Sequence, residues 1–316
     1  MQTPDRDDIH IISRHSNWNS DAVEQRLQTY VHPTADGWKK FLELFLLGTG
    51  VAFTVSGIIF FFAYNWDNLG KFAKMGIVGG VLSATVLLVL LTNLSDLVKN
   101  ILLTGAAVLV GGLFAVYGQI YQTGADTYEL FLAWSVFVTI WVLMSGFAPL
   151  WFLYLILLNT TGTFYLAQYH SNLQGLTVLL IDFLFNGTCL VTALVINTIN
   201  GRPSAPNWFT NLLAVACANI ATSGVIAGII EHQNLMPAML MVTAAAYAAG
   251  LWYGFTQRKV LYFALVAFSA ICCVAAGMIK LSHDTGMFLL VSLFIIGAVT
   301  VTVQQIIKLQ KRWTHV

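Results

Sequence analysis

Polar groups inside long apolar segments are the residues of this chain best placed to carry chemistry. Asp182 is the clearest case, because it lies within the apolar run from Leu179 to Phe185. A carboxylate at membrane depth is costly and usually has a partner or a task. Asn186 shares its helical face, one turn along. We expect Asp182 to be either the switchable charge of a proton-titrating or solute-binding pocket, or a neutral hydrogen-bonded group that locks two helices.

A second polar interruption precedes Asp182 in the chain. Asn159 and Thr163 lie in a segment that is otherwise nearly all large and apolar. Counted back from the short loop at residues 168–174, both fall at about the depth of Asp182 and Asn186. Adjacent antiparallel helices are therefore expected to bring the four side chains together in one ligand-binding or helix-locking group.

A third group of candidate residues closes two apolar segments at what we predict to be the outer face. Amide, aromatic and carboxylate side chains there suit a small polar or cationic ligand, through hydrogen bonds and cation–π contact. Tyr and Trp are also expected at this level simply as an interfacial belt. The ligand-binding candidates of this outer group are Asn65, Trp66, Asp67, Gln119, Tyr121, Gln122, Asp126 and Glu129.

Enzyme, metal and cofactor signatures are missing from the sequence. It contains no HExxH, GxSxG or glycine-rich phosphate loop, and no His or Cys cluster with metal-ligand spacing. We therefore expect no catalytic residue, no bound metal and no cofactor. One enzymatic alternative stays open, an intramembrane enzyme for lipid-linked substrates with Asp182 or Asp126 as its acid or base.

Composition indicates the setting in which these groups must act. Of the 316 residues, 58% are hydrophobic and 9% are charged, whereas soluble domains have about 25% charged residues. A net charge of +1 gives no field for nucleic acid. The chain is therefore predicted to be an all-α, polytopic membrane helical bundle, with the lipid bilayer as partner and no nucleic acid.

Apolar runs of about 20 residues are long enough to cross the hydrocarbon core. Ten are predicted, with nine or eleven as alternatives because little polar sequence separates the fourth and fifth. Residues 1–38 form a helical leader and 39–316 the transmembrane domain, which divides into two five-span halves, 41–167 and 176–307. The predicted spans are 41–64, 71–92, 98–121, 127–145, 149–167, 176–197, 207–230, 236–256, 260–280 and 286–307.

The distribution of basic residues predicts the orientation. With ten spans, all but three of the 15 Lys and Arg residues fall on one side, so the positive-inside rule makes both termini cytoplasmic. The leader shows helical patterns at residues 7–15 and 21–31, with Ser20 or Asp21 as N-cap. Residues 7–31 could dock a cytoplasmic protein partner.

Two outer-face stretches carry a family resemblance. The run from Phe62 to Asp67 and the run from Gly118 to Asp126 resemble a bacterial membrane family, domain-of-unknown-function family number 2157. The resemblance covers about residues 7–145. It implies a multi-pass protein of the bacterial inner membrane and brings no activity, substrate or site residue with it.

Two functions from different classes fit the sequence. The first is a secondary transporter or permease for a small polar or cationic solute, in which two five-span halves of opposite orientation form an inverted repeat. The alternative is a non-transporting scaffold, sensor or complex subunit whose leader docks a partner.

Overall fold

The computed structural model describes residues 9, 12–13, 16, 18–30, 35–65, 69–121, 124, 126–169, 175–199, 205–231, 234–282 and 284–314. Within these ranges the regular structure is entirely helical. The helices are α1 Ser20–Tyr30, α2 Ala35–Asn65, α3 Lys71–Leu91, α4 Asp96–Tyr121, α5 Thr127–Ser145, α6 Ala148–Tyr169, α7 Gly175–Ile199, α8 Asn207–Glu231, α9 Met236–Thr256, α10 Val260–Leu281 and α11 Thr285–Thr314.

Ten helices of the described chain, α2 to α11, are long and apolar enough to cross a membrane. This confirms the predicted polytopic helical bundle and its span count. The first and last spans are longer than predicted, since α2 begins at Ala35 and α11 ends at Thr314. Lys, Gln and Arg in these extensions are good helix formers, so the helix continues where apolar character ends.

The turn between the fourth and fifth spans is very short. Gly146 follows α5 with φ +56°, a left-handed conformation that glycine adopts without a Cβ penalty. The Ser145 hydroxyl accepts a hydrogen bond from the Phe147 N–H at 3.2 Å. The chain therefore reverses here despite the lack of polar sequence, which makes ten spans rather than nine.

The leader contains one described helix, α1. Its N-cap is Asn19, whose Oδ1 accepts a hydrogen bond from the Ala22 N–H at 2.9 Å. The prediction of Ser20 or Asp21 at this position was wrong, because asparagine caps at least as well as either. The Arg26 guanidinium lies 4.2 Å from the Trp18 ring centroid. The helix predicted at residues 7–15 falls mostly outside the described residues.

Two compact units divide the chain, Met1–Tyr121 and Gln122–Val316. In the first, α4 packs against α2 and α3. Ala107 and Gly111, two members of a small-residue stripe on α4, are buried there. Small residues let neighbouring helices approach closely in lipid. The division into five-span halves remains a prediction.

In the second unit α8 is the central helix, packed closely against α7 and α10 and also touching α9. Gly224 of α8 lies directly against the Met239 side chain of α9. The α5–α6 hairpin is closely packed internally, and the hydroxyl groups of Thr139 and Tyr154 are 3.0 Å apart across it. By contrast, the backbone of α6 comes close to α7 and α8 at few positions, and larger side chains make the contact, with Leu155 of α6 packed on Phe209 and Leu213 of α8.

Candidate functional site

Asn159 of α6 and Asn186 of α7 form a reciprocal amide pair. The Asn186 Nδ2 donates to the Asn159 Oδ1 at 2.6 Å, and the Asn159 Nδ2 donates to the Asn186 Oδ1 at 3.2 Å. The remaining amide hydrogens bond backbone carbonyls one turn back, of Leu155 and Asp182, at 2.7 and 2.8 Å. Each side-chain amide thus has both N–H groups and its oxygen in use. Asn186 is 4% exposed.

The next turn toward the loop at residues 170–174 holds a carboxylate. Asp182 is partly buried on α7, and the Thr163 hydroxyl of α6 is its hydrogen-bonding neighbour. No basic side chain is paired with Asp182 within the described ranges. The expected meeting of Asn159 and Thr163 with Asp182 and Asn186 is therefore observed. We call these four residues the α6–α7 seam.

A cavity of about 390 Å³ lies on the other side of the amide pair. Leu155 and Cys189 line it, and each is within one helical turn of the paired asparagines. Its lining is mainly apolar and comes from α6, α7, α8 and the turn at Gly146. The amide pair therefore separates this seam cavity from the Asp182 carboxylate.

Asn197, on the same face of α7 as Asp182, has a local structural role. Its amide group bonds the backbone of Ala205 in both directions, with Nδ2 to O and Oδ1 to N distances of 2.8 Å each. This clamp joins the end of α7 to the start of α8.

Of the predicted outer group, Asp126 and Glu129 belong to the N-terminus of α5. The Glu129 Oε2 accepts a hydrogen bond from the Asp126 N–H at 3.2 Å, as in a capping box. The Asp126 Oδ2 accepts another from the Tyr169 hydroxyl at 3.2 Å. The Tyr169 ring also meets the edge of Tyr128, with 5.5 Å between centroids. Both carboxylates thus stabilise a helix end.

Of the other members of the outer group, the structure describes the side chains of Gln119 and Tyr121. Gln119 and Tyr121 have exposed side chains at the end of α4, and the Tyr117 and Tyr121 rings are 4.8 Å apart. Trp66, Asp67, Gln122 and the side chain of Asn65 lie outside the described residues. The convergence of these groups into one vestibule therefore stays a prediction.

A buried hydroxyl cluster was not predicted from the sequence. The Ser269 Oγ of α10 is 2.6 Å from the Thr222 Oγ1 of α8 and 2.6 Å from the Tyr247 hydroxyl of α9. Three helices are thereby joined at one point, which we call the α8–α10 hydroxyl cluster. Ser, Thr and Tyr are common in membrane helices, so their positions alone gave no signal. The described residues contain no group of His, Cys, Asp and Glu fit for a metal ion.

Comparison with known proteins supports the membrane assignment. The model of a family described as "Predicted membrane protein (DUF2157)" matches residues 18–151, which confirms the resemblance found in the sequence. No curated protein and no solved structure matches the chain. The matched region contains the outer-face motifs and ends before Asn159, so an argument about the α6–α7 seam must come from its own geometry.

Proposed function

We propose that this chain is a secondary transporter of the bacterial inner membrane, for a small polar or cationic solute, with both termini in the cytoplasm. The observation that carries the proposal is the arrangement along the α6–α7 seam. A cavity opens on one side of a paired amide closure, and on the other side lies a carboxylate that has no basic partner among the described residues.

The energetics of the closure suit a gate. A transporter must open and close a barrier between its solute site and each side of the membrane. Here two interhelical hydrogen bonds join α6 and α7 beside a cavity, and the rest of the contact is made by large side chains around Leu155. Such bonds contribute on average about 0.6 kcal/mol each within a membrane. Opening the amide pair itself therefore costs only about 1 kcal/mol.

Asp182 supplies a negative charge that a transporter of a cationic solute can use to couple solute and proton movement. An ionised carboxylate in the span is costly unless it binds a cation or a proton. A cationic solute and a proton can therefore compete for the same group, which couples the movement of one to the movement of the other. The mainly apolar seam cavity favours a solute that carries its charge on a small apolar body.

Each unit also offers polar groups that suit a polar or cationic solute. In the first unit, Gln119 and Tyr121 expose an amide and a phenol at the end of α4. In the second unit, Asp126 and Glu129 would contribute negative charge while capping α5.

Thiol accessibility tests the proposal with a native reporter, Cys189, which lines the seam cavity. The other cysteines, Cys217, Cys272 and Cys273, are replaced by alanine. A membrane-impermeant cationic methanethiosulfonate reagent is then applied to intact cells and to inverted vesicles. We expect modification of Cys189 in inverted vesicles, and additional modification from the outer face once Asn186→Ala weakens the closure.

A matched control retains Cys272 alone, an exposed residue within the α10 span. It should stay unmodified from both faces because lipid, not water, surrounds it. If Cys189 is equally silent from both faces, with and without Asn186→Ala, the seam carries no water path and the transport proposal is wrong.

The alternative function is a scaffold, sensor or complex subunit, and the folded, capped leader helix favours it. In α1 the Glu24 and Arg26 side chains are exposed, which gives the leader a charged surface that suits a cytoplasmic partner. Deletion of residues 1–31 separates the two functions. A transporter should keep its Cys189 labelling pattern, whereas an adaptor should lose its partner in a pull-down from membranes.

A further inference from the structure

A second cavity, of about 500 Å³, lies between α7, α8, α9 and α10 and is lined almost entirely by apolar groups. Its lining includes Leu194 and Thr198 near the end of α7, and Tyr253 and Gln257 at the end of α9. The cavity therefore extends to the end of the bundle that carries the α9–α10 turn (residues 257–259). It shares no lining residue with the seam cavity.

The α9–α10 turn holds an arginine in a conformation that normally belongs to glycine. Arg258 has φ +53°. Hydrogen bonds run from the Lys259 N–H to the Gly254 carbonyl at 2.8 Å and from the Arg258 N–H to the Phe255 carbonyl at 3.4 Å. This is the Schellman pattern, whose left-handed position is usually glycine because a Cβ is unfavourable there. Unfavourable backbone conformations of this kind occur often at functional sites, which indicates that the Arg258 guanidinium has a functional role.

Lys259 is directed onto the same region. Its Nζ lies 3.2 Å from the Asn207 Oδ1, 3.5 Å from the Tyr253 hydroxyl and 5.5 Å from the Tyr253 ring centroid. These two hydrogen bonds leave one of its three N–H donors for another acceptor. In the described part of the chain no carboxylate forms a salt bridge with it. Tyr253 also lines the 500 Å³ cavity, so the ammonium group lies beside the cavity's end.

The end of α11 adds further positive charge at this level. The Trp313 ring packs against Phe255 and Phe263, with centroid distances of 6.2 and 5.7 Å. Arg312 precedes Trp313 and is exposed. Arg258 and Lys259 thus lie in the α9–α10 turn, and a third basic residue, Arg312, lies next to the Trp313 that packs against α9 and α10.

We infer that this end of the second unit binds an anionic phospholipid, with its phosphate group at Arg258 and Lys259 and an acyl chain in the 500 Å³ cavity. An apolar cavity between membrane helices offers an acyl chain no advantage over the surrounding lipid. Selectivity must therefore come from the headgroup, and basic pockets between helices bind anionic headgroups. Scattered interfacial lysines alone would not require a strained arginine beside a cavity.

The test uses the full chain purified in a neutral detergent, with phosphatidylglycerol as the anionic probe and phosphatidylcholine as the zwitterionic one. A ligand that binds only the folded protein raises its Tm. We expect phosphatidylglycerol to raise the Tm at concentrations at which phosphatidylcholine does not. Native mass spectrometry should show phosphatidylglycerol retained in preference to phosphatidylcholine.

Arg258→Gly distinguishes lipid binding from a merely structural turn. Glycine relieves the left-handed strain, so the lipid-free variant should fold and have a higher Tm than the natural protein. Its affinity for phosphatidylglycerol should fall about fivefold, as expected for the loss of one cation near an anionic headgroup. Lys259→Gln should weaken binding similarly, whereas Lys71→Gln, an exposed lysine of the first unit, should not.

Ala246→Trp tests the acyl chain separately, because Ala246 lines the cavity and is itself exposed. The indole should fill the space and reduce phosphatidylglycerol retention without changing any charge. The inference is overturned if both lipids raise the Tm equally, or if Arg258→Gly and Lys259→Gln bind phosphatidylglycerol as the natural protein does. It is also overturned if Ala246→Trp leaves retention unchanged.

Discussion

The α6–α7 seam and the α8–α10 hydroxyl cluster both place hydrogen-bonded polar groups among apolar helices, yet their surroundings differ. At the seam, two asparagines join helices whose backbones come close at few positions, and a cavity begins one turn away. At the cluster, three hydroxyl groups meet where α8 packs closely with α10, near the contact of Gly224 with Met239. Polarity at membrane depth is therefore a poor guide to function until the packing around it is known.

The difference follows from side-chain volume. Gly224, Gly228 and Ala221 give α8 a surface on which neighbouring helices lie close, so hydroxyl groups there only add to dispersion contacts. The α6 face toward α7 lacks such a surface, and larger side chains around Leu155 fill the interface instead. A polar bond between close-packed backbones fixes a structure, whereas the same bond beside a cavity can act as a latch.

The largest effect is expected from bulk added to the close-packed region. Gly224→Leu should lower the free energy of unfolding by about 3 kcal/mol, because its side chain collides with fully buried Met239. The matched change Gly162→Leu on α6 has no neighbour within 4 Å of the new Cβ and should be neutral or stabilising. SDS-titrated unfolding in mixed micelles measures both. Equal losses at the two positions would contradict the packing contrast.

The amide pair should show the next largest effect. Asn186→Ala leaves Asn159 without its partner and should cost about 1–2 kcal/mol of unfolding free energy. A double-mutant cycle with Asn159→Ala should give a coupling of about 1 kcal/mol, the sum of two interhelical bonds in a membrane. Asn219→Ala is the control, because within the described residues Asn219 bonds only its own helix, at the Val215 carbonyl. Coupling of Asn219 to Asn159 would show that the cycle reports something other than the latch.

Two Tyr→Phe substitutions compare a tyrosine whose hydroxyl is hydrogen-bonded with one whose hydroxyl is not. Tyr247→Phe deletes a cluster hydrogen bond and should cost about 0.6 kcal/mol, with no change in Cys189 accessibility. Tyr262→Phe removes a buried hydroxyl that has no hydrogen-bond partner in the described part of the chain, so it should be neutral or stabilising. The comparison uses Tm in one detergent. Faster Cys189 modification in Tyr247→Phe would place the cluster within the moving region.

The smallest change in stability is expected at Asp182. Asp182→Asn keeps the shape and should alter the unfolding free energy by less than about 0.5 kcal/mol. It should nevertheless reduce modification of Cys189 by a cationic thiol reagent relative to a neutral one, because the negative charge that concentrates cations is gone. Asp182→Glu should restore the ratio. An unchanged ratio in Asp182→Asn would remove the carboxylate from the proposed solute path.

The sequence predicted the features that depend on residue number along the chain, namely the membrane spans and the relative depth of residues within them. Apolar run length determines the spans, and equal counts from a short loop placed Asn159 level with Asn186 on antiparallel neighbours. The cluster of Thr222, Tyr247 and Ser269 could not be found this way, since its helices meet through rotation and packing. The N-cap was mistaken by one or two residues because Asn19, Ser20 and Asp21 are all good caps. The cavities could not be predicted from the sequence either, because they form where side chains of neighbouring helices leave space between them.

Helix length gives the two ends of the chain and its middle different responses to bilayer thickness. α11 has 30 residues and is about 45 Å long, so it can tilt or slide through a thicker or thinner membrane. α5 has 19 residues, about 29 Å, which barely matches a hydrocarbon core of about 30 Å. In a thicker bilayer of longer-chain lipids, the membrane must therefore become locally thinner around α5, or the position of α5 must change. Since α5 is packed to α6, that mismatch acts on the hairpin that closes against α7.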